Sequence, residues 1–204
     1  MDTRYDRTVA IKMLREELAG AITNSRFLKE IRIAARLNHP HIVPLFDSGE
    51  HRGRPFYVMP FVEGESLRQR IDQHGALTLA EARQIVREVG SAIAYAHANG
   101  IVHRDIKPEN ILLTDGHAAV ADFGIARALA QAGGETLTVQ GTALGTPLYM
   151  SPEQGSGDRV DERTDIYSLG CVLHEILTGE PPFTGPTAQA IVASHIVDAP
   201  PKAR

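Results

Sequence analysis

Cysteine is nearly absent: Cys171 is alone in 204 residues, which excludes an internal disulfide framework and suits a reducing cytosol. It stands in the apolar run Leu169-Gly170-Cys171-Val172-Leu173, where a packed helix residue is the expected reading rather than a redox site. No uninterrupted apolar stretch approaches the ~20 residues that a membrane-spanning helix needs. The N-terminus is charged rather than apolar, so no signal peptide is expected. Basic excess is missing too. Lys and Arg number 21 against 25 Asp and Glu, a formal charge of −4, which with no basic run argues against a nucleic-acid or anionic-membrane footprint. Neither an internal repeat nor a low-complexity tract occurs. What is present, 43% hydrophobic and 23% charged residues, is ordinary for a globular chain long enough to bury a core as one domain or two small lobes.

The first third reads as a small sheet with one helix. Thr8-Val9-Ala10-Ile11-Lys12 is a short β-branched run expected to form a strand. Asn24-Ser25 can cap a helix reaching about Leu37, with Phe27, Ile31 and Ala34 or Ala35 on one face. Residues 42–49 and 55–61 read as paired strands about a polar turn at His51-Arg52-Gly53-Arg54. His39 and His41 flank Pro40, where a turn into the next strand is a better reading than a metal pair. Glu63-Gly64-Glu65-Ser66 breaks the pattern, and the remainder reads as mostly helical. Thr78-Leu79-Ala80-Glu81 has the form of a capping box. It opens a helix with Leu79, Ala82, Val86, Val89, Ile93 and Ala96 at helical spacing, ending at Gly100. Further helices are expected over about 163–178 and 187–196.

The stretch His103-Arg104-Asp105-Ile106-Lys107-Pro108-Glu109-Asn110 is followed, twelve residues after Asn110, by Asp122-Phe123-Gly124. Two acids, an amide and a lysine at this spacing are what phosphoryl transfer needs. A lone Asp-Phe-Gly is weak, but the two motifs in this order and separation are specific. They resemble the catalytic core of protein kinases, in particular the eukaryotic-like Ser/Thr kinases common in bacteria.

The resemblance implies an α+β, protein-kinase-like two-lobed fold. Residues 1–62 would form a small β-rich N-terminal lobe with a hinge near Pro60 to Glu63, and residues 63–204 a mainly helical C-terminal lobe. It implies Ser/Thr kinase activity with ATP and Mg2+ (or Mn2+) bound in the inter-lobe cleft. Asp105 would orient and deprotonate the substrate hydroxyl, and Lys107, typical of Ser/Thr-type enzymes, would neutralise charge on the transferred group. Asn110 and Asp122 would hold the metal. Val9-Ala10-Ile11-Lys12 matches the family's lysine strand, so Lys12 would touch the α- and β-phosphates while paired with a helix acid, for which Glu30 is the candidate. Adenine would lie between Ala10 and Leu112, with Met59 at the back and main-chain contacts near Phe61 and Val62. His103 is expected to be a buried packing residue, and Phe123 to pack beneath the helix bearing Glu30.

Arg104 implies an enzyme regulated by a phosphate on its activation loop. Thr136, Thr138 and Thr142 are candidates for self-phosphorylation, Thr138 the first by position. Gly145-Thr146-Pro147-Leu148-Tyr149-Met150-Ser151-Pro152-Glu153 resembles the segment that receives the substrate backbone, with Ser151 where many relatives have alanine. Thr146 would brace Asp105 and Lys107, and Asp165 would anchor the catalytic-loop backbone from a buried position. Partners would be proteins bearing Ser or Thr, with no nucleic acid. The expected location is cytoplasmic, although many relatives carry a membrane helix and sensor domain downstream.

The sequence departs from the family pattern at both ends. Only eleven residues precede Lys12 and none is glycine, so the glycine-rich phosphate loop has no counterpart. Weaker ATP binding, poorly aligned phosphates and an unpaired strand edge are expected from that. The last helices of the family's C-terminal lobe, one of which supplies an arginine partner to the acid matching Glu153, are also not expected. Three readings follow: a Ser/Thr kinase, a truncated pseudokinase-like docking module, or a partial sequence of a longer kinase.

Overall fold

The computed structural model describes residues 1–13, 31–123 and 147–202. It opens with an antiparallel three-stranded sheet in the order β1-β3-β2, built from β1 (Val9–Met13), β2 (Asp47–His51) and β3 (Arg54–Pro60). Strand β3 alternates half-buried and buried positions, with Pro55, Tyr57 and Met59 inward, the period-2 pattern of a strand with one packed face. The expected turn between β2 and β3 is present. Arg52 and Gly53 have φ of 51° and 77°, the paired left-handed residues of a two-residue hairpin turn. Among the described residues β1 pairs only with β3.

The strand expected over 42–49 is shorter and later. Pro44 has no amide to donate, and Ile42 and Val43 are taken by a different partner. Ile42 forms a parallel bridge to Val120; Val43 N donates to Val120 O at 2.9 Å, and Val120 N to His41 O at 2.9 Å. These bonds tie the segment that leads into β2 to a second sheet. The turn at His39 and His41 is as expected: His41 N donates to His39 Nδ1 at 3.2 Å, and His41 Nδ1 lies 2.8 Å from Ala118 O.

The second sheet runs β4-β5-β6: β4 (Glu65–Ser66), β5 (Ile111–Thr114) and β6 (His117–Val120). Gly64 leads into it with φ of 148°, and a Cβ there would meet Leu113 O at 2.1 Å, so the close approach requires glycine. The β5–β6 hairpin does not follow from the mostly helical reading of this region. Its signal is Asp115-Gly116 between apolar runs, both residues with positive φ.

Around this sheet stand α1 (Leu67–His74), α2 (Leu79–Ala98), α3 (Pro152–Ser156), α4 (Arg163–Thr178) and α5 (Ala188–Val197). Capping boxes start three of them, at Ser66 with Gln69, Thr78 with Glu81, and Ser151 with Gln154. Helix α2 buries Ala82, Ile85, Val89, Ala92, Ile93 and Ala96. Leu79, expected on that face, is instead 74% exposed, while Ala82 in the same turn is buried. Cys171 is a buried residue of α4, and burial pushes its thiol up to about 12. Among the described residues no helix is long and apolar enough to cross a membrane.

Two apolar clusters follow from this layout. The larger lies under α1, α2 and α4, with Leu67, Val89, Ile111 and Val172 completely buried. The smaller joins the two sheets, with Ile31, Val43, Tyr57, Met59 and Ala121 buried and Ala10, Val62 and Leu112 packed against them.

Candidate active site

The catalytic-loop residues are positioned by a carboxylate that has no contact with water. Asp165, in the first turn of α4, is 0% exposed. It accepts from His103 N at 2.8 Å and Arg104 N at 2.7 Å, and His97 Nε2 lies 2.7 Å away. Arg104 has φ of 69°, a left-handed conformation that a non-glycine residue keeps only when its surroundings fix it. Gln154 Nε2 donates to the Arg104 carbonyl at 2.9 Å, so both sides of this residue are held.

His103 is buried, as expected, and acts as a bridge. Its Nδ1 accepts from Asp105 N at 3.2 Å while Nε2 donates to Ala121 O at 2.9 Å. The ring also meets the edge of Phe123, centroids 4.6 Å apart. One imidazole thus spaces the loop bearing Asp105 from the segment bearing Asp122.

Asp105 receives two donors from its own loop. Lys107 Nζ lies 2.9 Å from Oδ1 and 2.7 Å from Oδ2, and Asn110 Nδ2 donates to Oδ2 at 3.0 Å and to the Asp105 carbonyl at 2.8 Å. Asn110 ends a 3-10 turn (Pro108–Asn110) directly before β5, and its carbonyl accepts from Ala121 N at 2.9 Å. Asn110 and Asp122 therefore sit at the two ends of the β5–β6 hairpin, which sets them side by side.

Asp122, with φ of 67°, is met from the first sheet. Lys12 Nζ lies 2.5 Å from Oδ2, and the Tyr57 hydroxyl donates to Oδ1 at 2.8 Å. Burial, reinforced by the Asp122 charge, pushes the Tyr57 phenol well above the ordinary tyrosine range, so it remains a donor. Beside this point Ala10, Met59, Val62 and Leu112 share the smaller apolar cluster. Phe61 is 55% exposed, and its main-chain N donates to Thr8 O at 3.5 Å, just before β1. Glu30, Gly124, Thr136, Thr138, Thr142 and Thr146 lie outside the described residues.

Two features carry no signal in the motifs. Tyr57 in a strand reads simply as core until its register opposite Lys12 is known. The second is a buried network around Glu175, 1% exposed, which takes a hydrogen bond from Tyr149 and an ion pair from Arg68 at 2.9 Å. Arg68 also lies 3.3 Å from Glu109, so the network links α1, α4, the catalytic loop and the Tyr149 segment. Glu153 accepts from Thr164 Oγ1 at 2.5 Å. Burial works to raise the Glu153 carboxyl, but hydrogen bonds led by Thr164 outweigh it and hold it below the ordinary range.

The donor set suits a cation that arrives with its own oxygens. Asn110 spends its amide N–H on Asp105, which leaves the amide Oδ1 available as an acceptor. Among the described residues no group of three or more His, Cys, Asp or Glu side chains is placed to hold a metal alone. One carboxylate and one amide oxygen fit Mg2+, which keeps waters and shares phosphate oxygens, better than a structural metal. A cavity of about 530 Å³ lined by residues such as Glu63, Glu65, Glu81 and Asp115 shares no residue with this constellation.

Comparison with known proteins agrees with this geometry. The family model for the protein kinase domain matches residues 1–201. Serine/threonine-protein kinase PknD of Mycobacterium tuberculosis is 46% identical over 203 residues, covering 98% of this chain and 30% of its own length. Serine/threonine-protein kinase PknB of the same organism is 44% identical over 211 residues, covering 100% of this chain and 34% of its own. A probable serine/threonine-protein kinase PknB of Bifidobacterium longum is 45% identical over 216 residues, with 31% of its length covered. The chain thus spans about a third of these relatives. Among solved structures, Rad53 1-466 in complex with AMP-PNP superposes with a TM-score of 0.73 at 32% identity, over 92% of this chain and 45% of that one. With its small antiparallel sheet, its helical remainder and a family match along nearly its full length, the chain belongs to the protein kinase domain family.

Proposed function

We propose that this chain transfers the γ-phosphoryl group of ATP to Ser or Thr hydroxyls of proteins. The observation that carries the reading is the Asp105 carboxylate held at once by Lys107 and Asn110, one hairpin away from Asp122 and its partner Lys12. Asp105 orients the incoming hydroxyl and takes its proton. Lys107, already within reach of both Asp105 oxygens, places positive charge beside the group in flight. Asn110 and Asp122 hold a divalent cation, and when bound that cation neutralises charge on the phosphates. Lys12, freed from Asp122, meets the α- and β-phosphates with Glu30 as its acid partner. Ala10, Met59, Val62 and Leu112 supply an apolar slot for adenine, and the main chain at Phe61 and Val62 its polar contacts.

In this reading residues 1–62 act as the N-terminal lobe with its hinge and residues 63–204 as the C-terminal lobe. Protein substrates in the cytoplasm, and Thr136, Thr138 or Thr142 of the chain itself, are the acceptors. Intact-mass measurement after incubation with Mg-ATP tests it. Gains of one phosphate or more are expected in the wild type and none in Asp105→Asn. No gain on a supplied protein substrate or on the chain itself, in a folded sample, would overturn catalysis and leave a docking role.

A further inference from the structure

Asp122 is addressed by two side chains that stand opposite each other on the first sheet. Lys12 and Tyr57 are register partners in the β1–β3 ladder, and directly opposed residues of an antiparallel pair project to the same face. From that face Lys12 takes Oδ2 and Tyr57 takes Oδ1.

The two contacts differ in kind. Lys12 is a cation, 44% exposed, and it places on Oδ2 the positive charge that a metal would bring. Lys12 and a metal therefore compete for this carboxylate. The Tyr57 phenol is neutral, and the residue is 3% exposed among Ile31, Val43, Met59 and Ala121. Its O–H uses one lone pair of Oδ1, leaves the others open and adds no charge, so it can stay while a cation binds. Asp122 needs such a restraint, because its left-handed backbone does not by itself fix where the carboxylate points.

We propose that Tyr57 is a positioning residue for metal–nucleotide binding, holding the Asp122 carboxylate in place while Lys12 leaves it for the phosphates. The proposal rests on the kinase reading above. It assigns to Lys12 the contact that must break and to Tyr57 the contact that persists.

The test measures binding of a non-hydrolysable ATP analogue with and without Mn2+, by calorimetry and by the Mn2+ spin-resonance signal. Wild type, Tyr57→Phe and Asp122→Asn are compared. Loss of a hydrogen bond to a charged acceptor should weaken Mn2+–nucleotide binding about tenfold in Tyr57→Phe, with metal-free nucleotide binding held within about twofold. Weakening by the same factor with and without metal would mean a general packing role and would overturn the proposal. So would unchanged or tighter Mn2+ binding in Tyr57→Phe alongside a metal-responsive wild type. A wild type as indifferent to Mn2+ as Asp122→Asn would overturn the kinase reading itself, and this assignment with it.

Discussion

Asp165 holds the start of the catalytic loop through its carboxylate, which accepts from His103 N and Arg104 N at once. Replacing it with alanine strands the buried His103 amide, the half-buried Arg104 amide and the His97 ring. At about 1–3 kcal/mol for each unsatisfied buried group, Asp165→Ala should cost at least ~3 kcal/mol, read as a lower midpoint in urea unfolding. Activity should fall further than stability explains, because the left-handed Arg104 would relax and carry Asp105 with it. A midpoint within experimental error of wild type would refute this account of the loop. The role of Asp165 was legible beforehand from its place in Thr164-Asp165-Ile166-Tyr167-Ser168-Leu169-Gly170. Its third partner, His97, was not, because no spacing links residues 97 and 165 until α2 packs on α4.

Among the elements, those specified locally were legible and those specified by a distant partner were not. The Thr78–Glu81 capping box and the Arg52-Gly53 turn contain their own instructions. Ile42 and Val43 read as strand and pair instead with β6, an outcome that only the fold supplies. The β5–β6 hairpin had a readable Asp-Gly turn, but the surrounding helical periodicity masked it. That hairpin is fastened to α2 by Glu88, which accepts from Ala118 N at 2.7 Å and Gln84 Nε2 at 3.1 Å and meets His117 Nδ1 at 2.8 Å. Burial works to raise the Glu88 carboxyl, but the Ala118 amide, His117 and Gln84, with the nearby His41, outweigh it and hold it below the ordinary value. A carboxyl lowered on folding stabilises the protein above its unfolded value, about 4.3, and loses that contribution as pH falls through the lowered folded value. Glu88→Gln should therefore cost about 1–2 kcal/mol at pH 7. The difference from wild type should shrink below pH ~4; urea midpoints at both pH values would check it, and a gap independent of pH would count against this role.

For the molecule as a whole, the described links between the parts carrying the two sheets include the bonds of His41, Ile42 and Val43 to β6, the smaller apolar cluster, and the Lys12 and Tyr57 contacts to Asp122. Two of these converge on one carboxylate that comes from the second sheet side. On the proposed reading, a nucleotide with its adenine between Ala10 and Leu112 and a cation at Asp122 would add contacts to both parts at once, and binding to the folded state alone must then stabilise the whole chain. At a free concentration a hundred times Kd the gain is about 2.7 kcal/mol. For a chain of this size that is a rise in Tm of roughly 5–11 °C. Differential scanning fluorimetry should show the full rise only with Mg2+ and ATP together. The rise should be smaller with ATP alone, where Lys12 can meet the phosphates but Asp122 has no cation to hold, and largely lost in Asp122→Asn. Equal shifts with and without Mg2+ would place the nucleotide away from Asp122 and break the link between this cleft and phosphoryl transfer.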